Sequence, residues 1–406
     1  MNAENVYFRL NVDSVIHTLI AATGILLVVY ALLIFYYHRS WDQIPVNAIL
    51  SSEYPRDSYR KWIPGSKKEG PVSVSVIIPA RNEALRIGHC LTSLFNQSYP
   101  AAFTEIIVVN DFSTDDTVGQ VLEHMGKCTL LNLSDYISDP LNSYKKKAIE
   151  TGISFSSGEL IVCTDADCTM GIHWISCLAS AYEKEKFSFL AAPVKIIPDG
   201  SWLSVFQTLD FISLQGITGA AVYKNLYPMC NGANLAYTRQ AYDAAGGFKD
   251  IDQIASGDDM LLMKKIQAVF PGRTKYIKDS RAIVSTGPAE NLKAFFNQRI
   301  RWASKTAHYK HKATFITLAL VYLVNACLLL LFIACLFYGH WRWLLLLVAF
   351  KTISEYFFVL KVATFFQQQS LMKYFIFCQP FHILYTVVAG SFGSFGKYEW
   401  KNRKVK

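Results

Sequence analysis

Charged residues are scarce in this chain of 406 residues. They make up only 17% of the sequence, whereas 52% is hydrophobic, which is too apolar for one ordinary soluble domain. Four apolar runs are long enough, or nearly so, to cross a bilayer: Val15 to Tyr37, Ala313 to Tyr338, Trp343 to Leu360 and Phe375 to Gly390. We therefore predict membrane segments on both sides of a globular domain of about two hundred residues.

The nine cysteines include no Cys-x-x-Cys spacing, and their number is odd. A complete disulfide framework is thereby excluded, a zinc site is disfavoured, and packing roles in a reducing compartment are expected. The net charge of +9 comes without a recognised nucleic-acid module, so we expect no nucleic-acid partner. Its basic residues cluster beside the apolar runs and in the tail, where anionic headgroups of the bilayer are the natural partner.

The first apolar run lacks a basic segment before it and a small-residue cleavage site after it. We interpret it as a retained anchor and not as a signal peptide. One arginine precedes it, whereas six basic residues follow: Arg39, Arg56, Arg60, Lys61, Lys67 and Lys68. The positive-inside rule then predicts an integral protein of the cell (inner) membrane with a cytoplasmic globular domain.

Composition shifts along the chain predict six regions. They are an N-terminal transmembrane anchor (1–40), a linker (41–70), an α/β domain (71–289), an amphipathic interfacial helix (290–312), C-terminal membrane segments (313–393) and a basic tail (394–406). If all three C-terminal runs cross, the tail lies outside, against the positive-inside rule. We expect a cytoplasmic tail, with the last run re-entrant or interfacial.

Two charged residues interrupt the third apolar run. Lys351 and Glu355 stand four apart, so on a helix they would form an ion pair that faces the bundle interior. His382, in the last run, is expected to be a packed or snorkelling residue.

Strand-like and helix-like segments alternate through the globular part. The strands are predicted at 72–79, 105–109, 159–164 and 187–194, with helices at 84–97, 113–125, 145–155 and 174–184 between them. This order indicates a mostly parallel sheet between helix layers. Ligands bind at the carboxyl ends of the strands in such sheets.

Three predicted strands end in polar residues. The first leads into Pro79 to Glu83, the second into Asn110 to Ser113, and the third into Asp165-Ala166-Asp167. A carboxylate pair at a strand end suits a hard divalent cation, which would neutralise a leaving diphosphate. A second Asp-x-Asp triplet, Asp250 to Asp252, has no strand leading into it, so its position favours Asp165 and Asp167.

Two further carboxylates open a predicted helix. In SGDDMLLMKKI the chain turns from Gly257 into an apolar-periodic segment, so Asp258 and Asp259 lie at its N-terminus. The helix dipole favours their ionised state, which a general base requires. The alternative is that both residues only cap the helix.

A basic amphipathic helix is predicted just ahead of the second apolar run. Its apolar face is expected to hold Leu292, Phe296, Ile300 and Ala303, and such helices lie along the membrane interface. Gln298, Arg301 and Trp302 share one side of it. The alternative is that Arg299 and Arg301 bind headgroups while Trp302 anchors at the interface, and Arg299 is expected to do only that.

Seven segments in this order resemble the membrane-bound family 2 glycosyltransferases, whose catalytic domain has the Rossmann-like GT-A fold. They are VSVIIPARNE, VVNDFSTDDT, SYKKKAIETGI, TDAD, CNGANLAYTRQAYDAAGGF, SGDDMLL and QRIRW. Two positions depart from the family pattern: Asn110 stands where the family has the first Asp of a pair, and Asp258 stands where it has Glu.

The resemblance implies roles for individual residues. Asp259, with Asp258 beside it, would be the catalytic base, and Asp165 and Asp167 would bind Mg²⁺ or Mn²⁺. The residues implied to bind the nucleotide-sugar are Pro79, Arg81, Glu83, Asp111, Lys145 and Asp165. Those implied to meet the acceptor and the diphosphate are Asn231, Gly232, Gln298, Arg301 and Trp302.

The resemblance also implies an inverting, metal-dependent hexosyl- or N-acetylhexosaminyltransferase. It would use a nucleotide-sugar, expected to be UDP-linked, and a membrane lipid acceptor, because few membrane segments are available to form a polymer channel. The alternative is a processive synthase that extrudes a glycan polymer, with a possible small partner subunit. A hypothesis of another class is an inactive membrane scaffold. A scaffold would not need Asp165, Asp167, Asp259 and the QRIRW segment together.

Overall fold

The computed structural model describes residues 3–46, 70–137, 141–254, 257–304, 312–393, 398–400 and 403–405. Most of the predicted linker at 41–70 lies outside the described residues. The chain divides into two compact units. We call residues 1–42, 200–216 and 289–396 the helical unit, and residues 43–199, 217–288 and 397–406 the sheet unit.

The sheet unit contains one large sheet. Its strands are β1 (Val74–Ala80), β2 (Thr104–Asn110), β3 (Thr129–Asn132), β4 (Leu160–Cys163), β6 (Phe189–Ala191), β8 (Leu235–Thr238) and β9 (Thr274–Tyr276). They lie in the order β3-β2-β1-β4-β8-β6-β9. All neighbouring pairs are parallel except the two that involve β8, which is antiparallel to both β4 and β6. The predicted mostly parallel sheet is confirmed.

Helices connect these strands. They are α2 (Ile87–Phe95), α3 (Thr117–Leu122), α4 (Tyr144–Ser154), α5 (Trp174–Glu185), α7 (Arg239–Ala244) and α8 (Met260–Val269). The sheet core is made by β1 and β4, whose residues Val76, Ile77 and Val162 are fully buried. Burying each such side chain stabilises the fold by roughly 1.5–3 kcal/mol.

A smaller sheet pairs β5 (Thr169–Met170), β10 (Val284–Thr286) and β7 (Val194–Ile196). The predicted single strand at 187–194 is wrong, because β6 and β7 belong to different sheets. The chain leaves the large sheet at Ala192-Pro193, and Pro193 has no backbone N–H to continue the ladder. Its carbonyl instead accepts from Val284 N at 3.1 Å, which leads into the small sheet.

The helical unit contains α1 (Ala3–Gln43), α9 (Leu292–Ser304), α10 (Lys312–Tyr338), α11 (Trp341–Phe365) and α12 (Phe375–Gly393), together with the first part of α6 (Trp202–Tyr223). Within the described residues, four segments are long and apolar enough to cross a membrane: Val12–Gln43, Lys312–Tyr338, Trp341–Phe365 and Gln369–Gly393. One N-terminal and three C-terminal apolar helices were predicted. After Gly393, β11 (Tyr398–Trp400) and β12 (Arg403–Val405) form an antiparallel hairpin in the predicted tail.

The two charges inside α11 form the predicted ion pair. Lys351 Nζ lies 2.7 Å from Glu355 Oε1, and both side chains are buried. Tyr30 of α1 donates to Glu355 at 2.5 Å, and Gln379 of α12 bonds both charged residues. An unpaired charge in an apolar helix bundle destabilises the fold, and the pairing of Lys351 with Glu355 offsets that destabilisation.

The buried residues of α9 are not those of its predicted apolar face, which was expected to lie along the membrane interface. Leu292 is exposed, whereas Phe295 and Arg299 are the buried residues of this helix. Arg299, which was expected to bind headgroups, is only 4% exposed because Asp210 of α6 pairs with it inside the helical unit, Nη2 to Oδ2 at 2.7 Å. A pattern of apolar residues alone does not reveal a buried arginine whose partner lies far away in sequence.

Candidate active site

The carboxyl ends of β1 and β2 are joined by one arginine. Arg81 Nη1 donates to the carbonyls of Asp111 and Phe112, both at 2.8 Å. Asp111 N in turn donates to Ala80 O at 2.7 Å, and the Asp111 side chain is buried. Phe112 has a φ of 51°, so the loop after β2 takes a left-handed turn that a non-glycine residue adopts at a cost.

Glu83 is fixed in the same region by the start of α3. Its backbone N–H donates to Thr117 Oγ1 at 2.8 Å, and its side chain is buried. Asn110, the departure from the family pattern, bonds Asn132 of β3 at 3.1 Å and accepts from Ser113 N at 3.0 Å. The substituted residue therefore braces the loop that carries Asp111.

Lys145 draws two predicted carboxylates together. It is the second residue of α4, and its Nζ lies 2.8 Å from Asp165 Oδ1 and 3.3 Å from Asp258 Oδ2. Burial alone would lower the pKa of Lys145, but the facing carboxylates of Asp165 and Asp258 outweigh it and raise the pKa. Lys145 therefore stays charged at neutral pH, and it is a fixed positive charge at the end of β4.

Asp259 lies at the N-terminus of α8, as predicted, and its side chain caps the helix. Its Oδ1 accepts from Met260 N at 2.7 Å, and its Oδ2 accepts from Gly232 N at 3.2 Å. Gly232 lies close to the whole cluster, since a Cβ there would be 3.2 Å from Asp258 Oδ2 and 3.3 Å from Lys145 Nζ. The two hydrogen bonds hold the Asp259 carboxylate in one orientation beside Gly232.

Asp167 faces a cavity of about 260 Å³. The residues around the cavity include Arg86, His89, Asp167, Thr169, Ser285 and Thr286. Thr286 Oγ1 donates to Asp167 Oδ2 at 3.2 Å. Asp167 thus points to a polar space, while Asp165 faces Lys145.

Asp165 and Asp167 together fit a divalent cation by the chemistry of their donors. Both supply hard carboxylate oxygens, which Mg²⁺ and Mn²⁺ prefer. Across the described ranges, no cluster of three or more His, Cys, Asp or Glu side chains forms a complete metal cage. Mg²⁺ is commonly held by only one or two carboxylates, and water and diphosphate oxygens complete its coordination. Asp165 and Asp167 would suit this kind of binding.

The predicted acceptor-side loop is held by a residue that sequence reasoning missed. Asn234 is fully buried, and its Nδ2 donates to the carbonyls of Pro193 and Ala282, both at 2.7 Å. Its Oδ1 accepts from Trp174 Nε1 at 3.0 Å. Asn231 only bonds its own loop, at Ala233 N. A polar residue directly before the apolar strand β8 was the available signal.

No thiol acts as a nucleophile near the cluster. Cys163 ends β4, and burial raises its pKa to about 12, so it is protonated at neutral pH. All nine cysteines are free, as their spacing predicted.

The QRIRW residues lie in the helical unit. Gln298, Arg301 and Trp302 are partly exposed on α9, and Phe211 of α6 lies 6.3 Å from Trp302, ring to ring. The remaining predicted site residues, from Pro79 to Asp259, lie in the sheet unit.

Relatives identified by sequence agree with the motifs. The chain is 29% identical over 249 residues to the probable glycosyltransferase YdaM of Bacillus subtilis, which covers 58% of this chain and 55% of that protein. It is 24% identical over 232 residues to a poly-beta-1,6-N-acetyl-D-glucosamine synthase of Staphylococcus epidermidis. This match covers 57% of this chain and 53% of that protein. The chain thus spans about half the length of these curated relatives.

A solved structure shows the same fold. The mannosyltransferase PcManGT from Pyrobaculum calidifontis, in complex with GDP-Man and Mn²⁺, superposes with a TM-score of 0.54 at 18% identity. The match covers 92% of this chain and 99% of that one. The GT-A fold that the motifs implied is therefore confirmed. The family model for glycosyl transferase family 2 matches residues 75–246 of the chain.

Proposed function

We propose that the protein is an inverting, metal-dependent glycosyltransferase that moves a sugar from a nucleotide-sugar, in the first place a UDP-sugar, to a membrane lipid. The observation that carries this proposal is the cluster in which Lys145 bridges Asp165 and Asp258, with Gly232 bonded to Asp259. A charged lysine among three carboxylates suits a site that must hold both a diphosphate and a base.

The donor is proposed to bind at the ends of β1, β2 and β4. Asp111, held beside Arg81, would contact the nucleoside, together with Pro79 and Glu83. Lys145 would lie beside the diphosphate, where its positive charge stabilises the leaving group. A divalent ion on Asp165 and Asp167 would supply further neutralisation of the leaving diphosphate.

Asp259 is the proposed general base. It would take the proton of the acceptor hydroxyl while the oxygen forms a bond to the anomeric carbon and the bond from that carbon to the diphosphate breaks. A single displacement of this kind inverts the anomeric configuration. Asp258, which faces Lys145, would keep the lysine in place and is the shorter counterpart of the family's glutamate.

The acceptor is proposed to be a lipid because much of the chain is suited to a bilayer. Within the part of the chain that the structure describes, four helical segments are long and apolar enough to cross a membrane. Gln298, Arg301 and Trp302 on α9 are the residues of the helical unit proposed to meet the acceptor and the diphosphate. Asn231 and Gly232 are proposed for the same role. The planar guanidinium of Arg301 suits bidentate bonding to phosphate oxygens.

A glycan polymer is the second candidate product. The relative from Staphylococcus epidermidis is named a poly-beta-1,6-N-acetyl-D-glucosamine synthase, which favours a polymer and an N-acetylglucosamine donor. PcManGT instead holds GDP-Man with Mn²⁺. Both UDP-linked and GDP-linked donors therefore belong in the test.

The experiment is release of nucleoside diphosphate by the full-length protein in detergent, with Mg²⁺ or Mn²⁺. The donor panel contains UDP-sugars, including UDP-N-acetylglucosamine, and GDP-mannose, and the acceptor is total membrane lipid. Mass spectrometry of the organic phase then identifies the product. A lipid that gains one hexose or N-acetylhexosamine, with inverted linkage and only in the presence of metal, is the expected result.

Other outcomes separate the alternatives. A water-soluble product of high mass without a new lipid would identify a polymer synthase. Retention of the donor's anomeric configuration would contradict a single displacement. An absence of nucleotide release under every condition would favour an inactive membrane scaffold.

A further inference from the structure

A buried ion pair in the helical unit joins α6 to the helix that carries QRIRW. Arg299 of α9 and Asp210 of α6 are 4% and 5% exposed, and Arg299 Nη2 lies 2.7 Å from Asp210 Oδ2. Tyr385 of α12 donates a hydrogen bond to the other carboxylate oxygen of Asp210. His382 Nε2 lies 3.9 Å from the same oxygen. The Asp210 carboxylate is thus held from two sides.

The guanidinium of Arg299 also stacks on aromatic rings. Its Cζ lies 4.3 Å from the ring centroid of Trp302 and 5.0 Å from that of Phe295. Trp302 is one turn away on the same helix, and it is the tryptophan of QRIRW. The arginine of the buried ion pair therefore contacts Trp302, a residue proposed to bind the acceptor.

Stability alone is a weak explanation for this arrangement. Among the described residues, the nitrogens of Arg299 find no hydrogen-bond partner of good geometry, although the charge is paired with Asp210. Taking two charges out of water is expensive, and apolar residues of similar size in such places are often as stable or more so. A buried arginine with unsatisfied donors calls for a role beyond packing.

We propose that Asp210 and Arg299 are positioning residues that fix the orientation of Trp302 and thereby its contact with the acceptor. This inference rests on the proposed function for the role of Trp302 in the acceptor site. Asp210 sets the plane of the guanidinium, and the plane of the guanidinium supports one face of the indole ring. Lysine could not replace Arg299, because an ammonium group has no plane to stack.

The alternative is an ion pair with a purely structural role. The double variant Asp210→Leu/Arg299→Met distinguishes a structural role from a positioning role. It leaves no lone buried charge and keeps the net charge of the chain. If the pair is structural, the double variant retains both its thermal stability and its acceptor KM. If the pair positions Trp302, the variant folds but its acceptor KM rises about tenfold to a hundredfold.

Kinetics against the donor provide an internal control. Since the donor is proposed to bind in the sheet unit, the Kd for UDP should be unchanged in the double variant. Arg299→Lys, which keeps the charge and loses the stacking plane, should raise the acceptor KM as well. Lys293→Met removes one exposed positive charge from the same helix and should leave the acceptor KM at the wild-type value.

A spectroscopic readout tests the inference without any substrate. The eight tryptophans are replaced by 5-fluorotryptophan, and the fluorine resonance of Trp302 is identified by its loss in Trp302→Phe. This resonance should shift in Asp210→Leu/Arg299→Met and in Arg299→Lys, and it should stay in place in Lys293→Met. The other seven resonances report whether the fold is retained.

The two readouts distinguish the failure of the inference from the failure of the proposed function. An unchanged Trp302 resonance in the folded double variant would overturn the inference, and so would a wild-type acceptor KM. A shifted resonance in a protein that transfers no sugar would support the positioning of Trp302 and reject the proposed function.

Discussion

Asp259 receives backbone N–H groups on both carboxylate oxygens, from Met260 and Gly232. Those two donors fix the orientation of its carboxylate. We predict that Asp259→Asn lowers turnover by about 10²–10⁴-fold, because the amide cannot accept the acceptor proton. The affinity for UDP, measured by calorimetry, should change little. Asp252→Asn, an exposed position in the second Asp-x-Asp triplet, is the control, and a comparable loss of turnover there would contradict the assignment.

Gly232 is the tightest point of the cluster. An added methyl group would be 3.2 Å from Asp258 Oδ2 and 3.3 Å from Lys145 Nζ, so one of these side chains must move. We predict that Gly232→Ala reduces turnover by about tenfold or more, since small misplacements of catalytic groups are costly. The melting temperature should fall only slightly.

Gly171→Ala provides the matched comparison. Gly171 is exposed, and an added Cβ there would meet no atom within 4 Å. Its turnover should equal that of the wild type. If both alanine variants lost activity equally, crowding at Gly232 could not be the cause.

Among single residues, the sequence identified the candidate site carboxylates but not the residues that hydrogen-bond or pair with the surrounding segments. Asp165, Asp258 and Lys145 belong to recognisable motifs, and both carboxylates lie within 3.3 Å of the Lys145 ammonium group. Asp210 lies outside the seven segments, and Asn234 lies within one of them but was assigned no role. Their partners lie 41 or more residues away in sequence, so only the folded chain reveals them.

Between the elements, Glu105 ties three segments of the sheet unit. Its Oε1 accepts from Ser75 Oγ of β1 and from the backbone N–H groups of Ser157 and Gly158 ahead of β4, at 2.5–3.0 Å. Burial alone would raise the pKa of Glu105, but these hydrogen bonds outweigh it and lower the pKa. The ionised carboxylate therefore stabilises the fold at neutral pH.

We predict that Glu105→Ala lowers the free energy of unfolding by about 1–3 kcal/mol at pH 7, because it leaves several donors unsatisfied. A carboxylate with a lowered pKa in the folded state contributes stability above its unfolded pKa and loses it as the pH falls. The difference between wild type and variant should therefore narrow below about pH 4. Thermal unfolding of both proteins from pH 3.5 to 7 measures this difference in stability. The exposed Glu123→Ala is the control, and a constant difference across this range would refute the ionic origin.

The order of strands and helices was predictable because hydrophobic periodicity is local. The strands near 74–80, 104–110 and 160–163 and the helices between them lie where the pattern placed them. The division at Pro193 and the inward face of α9 were not predictable. Both depend on partners in distant segments, namely β10 for the first and Asp210 for the second.

For the whole molecule, composition and resemblance contributed different information. The apolar runs predicted four membrane-suited helices, and in the described residues three of these segments extend several residues further, as in Val12–Gln43, whereas Lys312–Tyr338 is one residue longer. Periodicity predicted an α/β sheet but could not reveal that β8 lies antiparallel between β4 and β6. The ordered motifs implied the GT-A fold but did not by themselves give the direction of β8.

The side of the membrane on which the tail lies is the last prediction. The six basic residues after the first apolar run predict a cytoplasmic sheet unit, and three complete C-terminal crossings would then put the basic tail outside. We predict instead a cytoplasmic C-terminus, with α12 not crossing completely. A green fluorescent protein fused after residue 406 should fluoresce, and alkaline phosphatase at the same position should be inactive. Phosphatase fused after Gly339, between α10 and α11, should be active and serves as the control. Active phosphatase at residue 406 would mean that α12 spans the bilayer and that the positive-inside rule fails for the tail.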